Sequence, residues 1–334
     1  MKRLSGVTRG FAALTVTLLL AVLPAAVQPE TPRSGKALGP WDWGHIRIVR
    51  SNDNIEFLNR LHATVNQNGG PILFPKERES GQYITDLKEF DKLVAAARAK
   101  VDRFHQEGLH VIAYTTMALA GESPTYDDVP RPEELALNEA FNTPGLWESY
   151  AAWLGAKPAE GPDKWARRSH DGKYSFYRFR HPNAPKTGGR FEMFGCQDNP
   201  SYVHYFKGVM RLVALGWYDG AYVDWTKVHE GTCYCEHSRA AFRKYLQEKI
   251  PAGYLQKRYG ITDLAQAEPP LDNTQALWRE WLLFRSASLS EFQREIRAAA
   301  REINPDFLLS GNINGGDYGN MAYINGDDME RMGE

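Results

Sequence analysis

The sequence predicts an α/β fold, a (β/α)8 TIM barrel, on three observations. Strand-like apolar segments alternate with helical segments, which implies parallel strands joined by right-handed crossovers. No G-x-G-x-x-G or P-loop pattern follows the first strand, so the usual nucleotide-binding reason for an open doubly wound sheet is missing. The 334 residues are 43% hydrophobic and 24% charged, which is ordinary globular composition. We therefore favour the barrel over the open sheet.

The N-terminal segment has the pattern of a secretory signal. Lys2, Arg3 and Arg9 precede an apolar stretch at 11–23, and a polar exit follows. This order predicts a signal peptide over residues 1–30. A retained membrane anchor is the alternative, but the apolar run is shorter than the roughly 20 residues that a span needs. We expect a secreted or periplasmic protein without a stable membrane span after signal removal, and a barrel domain over 36–334.

Two βα units and a third strand open the predicted barrel. Helical stretches have apolar residues at helical spacing, and the strands are short apolar segments. Gly108 is expected just after the second helix, because glycine often takes the left-handed position that follows a helix. The elements are a strand at 45–50, a helix at 54–65, a buried strand at 71–75, a helix at 87–105 and a strand at 109–115.

The chain then leaves the simple alternation over about 120–190, a stretch rich in Pro, Gly and Trp. Within it, His170-Asp171-Gly172 separates two strand-like runs, as in a hairpin. A stretch of this length between barrel units is usually an inserted lobe over the active-site mouth. A separate small domain is the alternative. We expect an insertion after the third strand.

The second half returns to alternation. Asn199 is a predicted helix N-cap with Pro200 in the first turn, and Gly216 ends that helix. The following elements are a strand at 218–224, a helix at 237–249, a helix at 275–303 and a strand at 307–311. These strands bring the total to about five, whereas a closed barrel needs eight. The chain is therefore expected to be a fragment or to have its last units supplied otherwise.

Asp224 ends the strand at 218–224 and is the leading catalytic candidate. Glycosidic cleavage needs two carboxyl groups, and barrel enzymes place such groups at the C-terminal ends of strands. An Asp that caps its own loop is the alternative. Trp225 follows it with an indole that suits a sugar ring, and Asp219 is expected to be a turn residue. Glu230 is the first choice of partner because its loop begins at Asp224, although a solvated loop carboxylate is the alternative; further candidates are Glu192, Asp198, Asp317 and Asp327.

The charge balance points to a neutral partner. The chain has 40 Lys and Arg against 41 Asp and Glu, so no basic field favours nucleic acid or an anionic membrane. A carbohydrate substrate fits better. Arg50 and Tyr114 end strands at the same rim as Asp224, and Asn312 and Asn314 follow the fifth strand. These four residues are candidate substrate-binding residues, with ion pairing, core packing and turn formation as the alternatives. No sequence feature indicates an oligomer.

Three cysteines exclude a disulfide-rich scaffold. Cys233 and Cys235 stand two residues apart with His237 two further on, a density that suits tetrahedral zinc, with Cys196 as a remote ligand. In an exported protein, a disulfide from Cys196 to one of the pair is an equal alternative, and free thiols are a third. Any such zinc is expected to be structural, so the chemistry requires no cofactor.

The stretch 218–246 resembles a family of barrel enzymes; it reads YDGAYVDWTKVHEGTCYCEHSRAAFRKYL. The resemblance is to glycoside hydrolases related to the family 42 β-galactosidases and to the neighbouring hypothetical glycosyl hydrolase families. These have a fourth strand with an acidic end, a C-x-C-x-x-C cluster and an F-R-x-[WY]-L helix. Ser238 stands where they place a third Cys. The helix at 275–303 and the following NPDFLLSGNIN also look like this group, so the resemblance covers roughly the second half.

The resemblance implies a role for Asp224 at the position of the family's general acid/base. The family has Asn-Glu where this chain has Val223-Asp224, and fucosidase-like barrels use an Asp there as nucleophile, so both roles stay open. The family's own nucleophile would lie beyond Glu334. The expected function is a secreted polysaccharide-degrading glycoside hydrolase that cleaves O-glycosidic bonds of neutral sugars, of β-galactoside or fucoside type, by carboxylate acid/base chemistry. The alternative is a non-catalytic carbohydrate-binding barrel that has lost one catalytic carboxylate.

Overall fold

The computed structural model describes residues 47–50, 52–123, 129–179, 189–226 and 232–311. The strands in chain order are β1 Ile48–Arg50, β2 Val65–Gly69, β3 His110–Thr116, β4 Ala118–Ser123, β5 Phe176–Phe179, β6 Gly189–Phe194, β7 Gly220–Asp224 and β8 Leu308–Gly311. The α-helices are α1 Ile55–Arg60, α2 Leu87–Gln106, α3 Ala136–Asn142, α4 Leu146–Ser149, α5 Ala151–Leu154, α6 Pro200–Leu215, α7 Glu236–Lys249, α8 Ala252–Tyr259 and α9 Trp278–Arg301.

The main sheet has five parallel strands in the order β1-β2-β3-β7-β8. Each new strand is added on the same side, whereas the strand order of a doubly wound sheet reverses at a switch point. The predicted α/β class with parallel strands is confirmed. Within the described residues these five strands do not close into a barrel.

A second sheet follows β3. It is antiparallel, with the order β4-β6-β5, and short helices lie between its strands. This sheet and its helices occupy the stretch that the sequence analysis assigns to an insertion. The expected turn at 170–172 is present, with Gly172 at φ 79° and the Ser169 N–H donating to the Lys173 carbonyl at 2.9 Å.

The second strand of the main sheet differs from the prediction. Helix α1 ends at Arg60, and the strand is β2 at Val65–Gly69 rather than 71–75. The segment 71–75 is not a strand: Ile72 is 73% exposed and Phe74 has a left-handed φ of 56°. The prediction was wrong because β2 carries the polar sequence Asn66-Gln67-Asn68, which is buried without any apolar alternation.

The helix caps predicted at Asn199, Gly216 and Gly108 are confirmed. The Asn199 side chain accepts hydrogen bonds from the Ser201 and Tyr202 N–H groups at the start of α6, and Gly216 is its C-cap. Gly108 follows α2 at φ 76°, and its N–H donates to the His105 carbonyl. These signals are short-range, so the residues nearby in sequence suffice to form them.

The hydrophobic core lies on one face of the main sheet. Alternate residues of β3, β7 and β8 pack there against α2, α6 and α9; they are Val111, Ala113, Ala221, Val223 and Leu309. Because neighbours along a strand point to opposite faces, the residues between them point away from this core. A second hydrophobic cluster, which includes Phe242 of α7 and Trp281 of α9, joins those two helices.

Asp219, expected to be a turn residue, is a buried anchor just before β7. Its Oδ2 accepts the Val111 N–H at 2.7 Å and lies 2.8 Å from His105 Nε2. Burial opposes ionisation, but hydrogen bonds with His105 and His110 outweigh it and hold the pKa of Asp219 well below its usual range. The carboxylate therefore ties β7 to β3 and α2.

We expect Asp219→Ala to lower the free energy of unfolding by about 3 kcal/mol, because it leaves a buried N–H and a buried imidazole without their partner. Urea unfolding at pH 7 measures this. Because the pKa is depressed on folding, the stabilisation is present above about pH 4 and is lost as pH falls further. Asp171→Ala, at an exposed turn, is the control and is expected to leave the midpoint unchanged. Equal midpoints for wild type and Asp219→Ala would contradict the anchoring role.

Candidate active site

Asp224 is the last residue of β7 and is paired in register with Thr116 of β3. Its Oδ2 accepts a hydrogen bond from the Tyr114 hydroxyl. Its Oδ1 accepts the backbone N–H of Trp225 at 2.9 Å, and its main-chain carbonyl accepts the Met117 N–H at 3.0 Å. The carboxyl group is thus held at the C-terminal edge of the parallel sheet.

Trp225 connects this edge to the inserted sheet. It has a left-handed φ of 61°, which turns the chain sharply as β7 ends. Its indole Nε1–H donates to Glu192 Oε2 at 3.2 Å. The rings of Phe194 and Tyr177, both from the inserted sheet, lie 4.8 and 5.6 Å from the Trp225 ring between centroids. One tryptophan therefore contacts both Asp224 and Glu192.

Glu192 lies on β6, opposite Tyr177 in the register of the inserted sheet. The residue is 8% exposed. Burial raises the pKa of Glu192, and the charge of Asp224 raises it further, while Arg190, 3.8 Å away, and the Trp225 indole oppose the shift. Glu192 thus retains its proton to higher pH than a solvated glutamate.

Two tyrosines and an arginine complete the rim. The rings of Tyr114 and Tyr222 are stacked with centroids 5.9 Å apart, and the Arg50 guanidinium lies 5.7 Å from the Tyr114 centroid. Burial and the hydrogen bond to Asp224 raise the pKa of Tyr114 far above its ordinary value, so its hydroxyl stays protonated and donates. The structure therefore brings Arg50, Tyr114 and Trp225 together with Asp224.

The other candidates named from the sequence are placed elsewhere. Glu230, Asn312 and Asn314 lie outside the described residues, as do Asp317 and Asp327. Asp198 is described, but its carboxylate accepts hydrogen bonds from the Ser238 and Ser288 hydroxyls instead of joining Asp224. Glu192 was only one of several partners named from the sequence, because its proximity to Asp224 arises from the pairing of β4, β5 and β6.

The three thiols form a cluster. The sulfurs of Cys196, Cys233 and Cys235 lie within 4.8 Å of one another, and Cys196 Sγ is 3.5 Å from Cys235 Sγ. All three are free. A tetrahedral zinc with Zn–S bonds of about 2.3 Å needs sulfurs about 3.8 Å apart, so the three thiols fit a zinc ion. Hydrogen bonds from the other two thiols hold the pKa of Cys235 well below its usual range, which favours a thiolate at Cys235, whereas burial raises the pKa of Cys196 and of Cys233.

His237 does not complete this set. Its Nε2 lies 3.3 Å from Glu160 Oε2, and the group of candidate ligand atoms contains only the three thiols among the described residues. An oxygen stands nearer: Ser238 Oγ is 3.3 Å from Cys196 Sγ and 3.7 Å from Cys235 Sγ. Asp198 Oδ2 is 2.5 Å from that hydroxyl. Three of the four predicted ligands therefore converge.

No family model and no curated protein matches this chain. It is similar to several solved structures. A β-galactosidase from Rahnella sp. R3 shows 16% identity and a TM-score of 0.43 over 77% of this chain and 32% of that one. A catalytic mutant of a GH42 β-galactosidase from G. stearothermophilus shows 17% identity and a TM-score of 0.44, over 79% and 33%. A cycloisomaltooligosaccharide glucanotransferase from Paenibacillus sp. shows 12% and 0.38, over 79% and 30%.

The chain spans about a third of the length of these structures. The group that the sequence resembles, family 42, is among them. Similarity at this level says nothing about substrate or mechanism, which depend on the residues at the strand ends.

No α-helix in the described part of the chain is both long enough and apolar enough to cross a membrane.

Proposed function

We propose that this protein is an exported glycoside hydrolase that cleaves O-glycosidic bonds of neutral sugars, of β-galactoside or fucoside type. Glu192 is the general acid, and Asp224 is the nucleophile or base. The observation that carries the proposal is the pair of hydrogen bonds at Trp225: its backbone N–H binds Asp224 and its indole binds Glu192. One tryptophan thus forms a hydrogen bond with each of the two carboxyl groups.

The two carboxyl groups differ as the reaction requires. One must protonate the leaving oxygen while the other attacks the anomeric carbon or activates water. Burial favours the protonated form of Glu192, which suits the acid. Asp224 is the acceptor in both of its described side-chain hydrogen bonds. This suits the second role, in which a carboxylate attacks the anomeric carbon or activates water. Neighbouring carboxyl groups with different environments are a recurring acid/base arrangement.

The proposal includes a barrel whose five described strands form one side. It is supported by their parallel, sequential order and by the position of Asp224 at a C-terminal strand end, where barrel enzymes carry their chemistry. Export rests on the signal-like pattern of residues 1–30. The substrate class rests on the near-zero net charge and the aromatic rings beside the carboxyl groups.

A non-catalytic sugar-binding barrel is the second candidate. Among the described strands of the main sheet, only β7 ends in a carboxylate; the others end at Arg50, Gly69, Thr116 and Gly311. This observation favours a site that has kept binding and lost one catalytic group. The two candidate functions differ at Glu192 of the insertion. Glu192 is the second catalytic carboxyl group in the hydrolase and has no catalytic role in the sugar-binding barrel.

The deciding experiment is the release of 4-nitrophenol from a panel of 4-nitrophenyl glycosides by wild type and by Asp224→Asn/Glu192→Gln. We expect release by wild type and none above background by the double variant, with unchanged circular dichroism for both. Equal release by both proteins would contradict the assignment of these carboxyl groups. Sugar binding by wild type without any release would establish the second candidate instead.

We also propose that Cys196, Cys233 and Cys235 hold one structural zinc ion, and that the chemistry requires no cofactor. Zinc would link the end of β6 to the start of α7, because Cys196 follows β6, Cys235 is the N-cap of α7 and Cys233 stands two residues before it. Metal analysis of the purified protein is expected to find one zinc per chain. Chelation is expected to lower the melting temperature by about 10 °C, and added zinc to restore it. A purified protein without zinc, or a melting temperature that chelation leaves unchanged, would contradict this proposal. A disulfide found by mass spectrometry would also contradict it.

A further inference from the structure

We propose that Gln67 is a sugar-binding residue, whose side-chain amide donates a hydrogen bond to a hydroxyl of a neutral sugar on the inner face of the main sheet. The inner face is defined here as the face that carries Arg50, Gln67, Tyr114, Tyr222 and Asp224. The inference rests on the proposed function, because it assigns a further binding group to the same site.

The strand register places Gln67 on this face. Gln67 is paired with Arg50 on β1 and with Ile112 on β3. Tyr114, two residues beyond Ile112, points to the same face as Ile112 because side chains along a strand alternate. Tyr114 in turn binds Asp224 and has the Arg50 guanidinium near its ring. Gln67 therefore belongs to the row of side chains that leads to Asp224.

The core confirms the direction of the face. Val111 and Ala113 of β3, and Ala221 and Val223 of β7, belong to the hydrophobic core against the helices. Ile112, Tyr114 and Tyr222 alternate with them and are absent from that core. The inner face is consequently the one that the helices do not cover.

The side-chain amide nitrogen of Gln67 is buried and has no hydrogen-bond partner among the described residues. Gln67 is 3% exposed, and its Nε2 finds no hydrogen-bond acceptor within the described part of the chain. A buried polar group without a partner costs about 1 to 3 kcal/mol, so a donor in this position calls for an acceptor supplied by something bound. The amide nitrogen of the neighbouring Asn66 differs: it donates to the Asn52 carbonyl at 2.8 Å on the opposite face of the strand, and only the Asn66 Oδ1 acceptor has no partner among the described residues.

The surroundings favour a sugar hydroxyl as the acceptor. The stacked Tyr114 and Tyr222 rings offer an apolar surface to the C–H groups of a sugar ring, and the Arg50 guanidinium adds donors. Binding sites of this kind combine aromatic surface with a few placed polar groups. A neutral amide donor recognises a hydroxyl without requiring charge on the ligand, in line with the near-zero net charge of the protein.

The test compares Gln67→Met with Asn66→Ala. Binding of galactose and of fucose is measured by titration calorimetry, and melting temperature by differential scanning fluorimetry. Gln67→Met is expected to bind about 3- to 10-fold more weakly and to melt at the same or a higher temperature, because it removes an unpaired buried donor. Asn66→Ala is expected to show the reverse: unchanged binding and a lower melting temperature, because it loses a hydrogen bond on the helix side.

Monodeoxy sugars identify the contact. For one monodeoxy galactose or fucose, wild type and Gln67→Met are expected to bind equally, because the hydroxyl that the amide binds is already missing. A purely structural Gln67 would lower melting temperature and binding together and would show no such selectivity.

Wild-type binding that Gln67→Met leaves intact, or no binding of either sugar by wild type, would overturn the inference. Its failure is distinct from that of the proposed function, because binding is measured without turnover. Sugar binding that depends on Gln67, without any hydrolysis, would support the inference and reject the proposed hydrolase. Hydrolysis that Gln67→Met leaves unchanged would support the hydrolase and reject the inference.

Discussion

Asp224→Asn is expected to lower kcat/KM for 4-nitrophenyl glycosides about 10²- to 10⁴-fold, the usual contribution of one acid/base group. The amide keeps the size of the carboxylate and accepts the Trp225 N–H through its oxygen, so the strand end is expected to stay folded. It cannot attack an anomeric carbon or take a proton from water. Initial rates of nitrophenol release, with circular dichroism as the check on folding, measure the loss.

The matched control is Asp171→Asn, because Asp171 likewise accepts a hydrogen bond but lies in the exposed turn at 170–172, where it binds Ser169 and Lys173. Its activity is expected to equal that of wild type. Sodium azide added to Asp224→Ala then separates the two roles that the sequence leaves open. A rate restored by azide, with a glycosyl azide whose anomeric configuration is inverted relative to the substrate and opposite to that of the wild-type product, identifies a nucleophile. An Asp224→Asn rate within twofold of wild type would remove Asp224 from the chemistry.

Glu192→Gln is expected to affect substrates according to their leaving group. A general acid is needed when the departing oxygen is basic and is dispensable when it is not. We expect a 10²- to 10⁴-fold loss on phenyl and methyl glycosides and a far smaller loss on 2,4-dinitrophenyl glycosides. Rates on this leaving-group series measure the effect. The same loss on every substrate would assign Glu192 a structural role and contradict the acid.

The pH dependence of Glu192 has a definite sign. Burial raises its pKa, so the protonated acid is present at low pH and is lost as pH rises through that pKa. The alkaline limb of the kcat/KM profile is expected to disappear in Glu192→Gln. Stability follows the same direction, because a carboxyl group with a raised pKa destabilises the folded protein once it ionises. Glu192→Gln is thus expected to melt higher than wild type at pH 7 and equally at pH 4, which a loss of structure would not produce.

Features that depend on neighbouring residues were predicted from the sequence. Asn199 and Pro200 at the start of α6, Gly108 after α2 and Asp224 at the end of β7 all depend on a few adjacent residues. Their predicted positions agree with the structure to within one or two residues. Arg50 and Tyr114 were also named, because carboxyl ends of parallel strands meet at one edge.

Features that depend on burial by distant segments were missed. The β2 strand lacks an apolar pattern, since Asn66, Gln67 and Asn68 are covered by parts of the chain that its own residues do not reveal. Glu192 was not separated from other acidic residues, because its distance from Asp224 depends on an antiparallel sheet inside the insertion. Asp219 looked like a turn residue because His105 and Val111 lie more than 100 positions away in the chain.

The inserted sheet divides the proposed site between two parts of the chain that differ in how readily their sequences change. Asp224, Tyr114 and Gln67 stand on strands of the main sheet, whose parallel pairing and helix-covered opposite face hold their positions. Glu192, Tyr177 and Phe194 stand on an excursion between two of those strands, and such excursions accept changes of length and sequence more readily than the scaffold. Under the proposed function, the departing group of the substrate can therefore change in evolution while recognition of the sugar ring is conserved. Exchange of the segment between β3 and α6 is the corresponding engineering route to new linkage specificity.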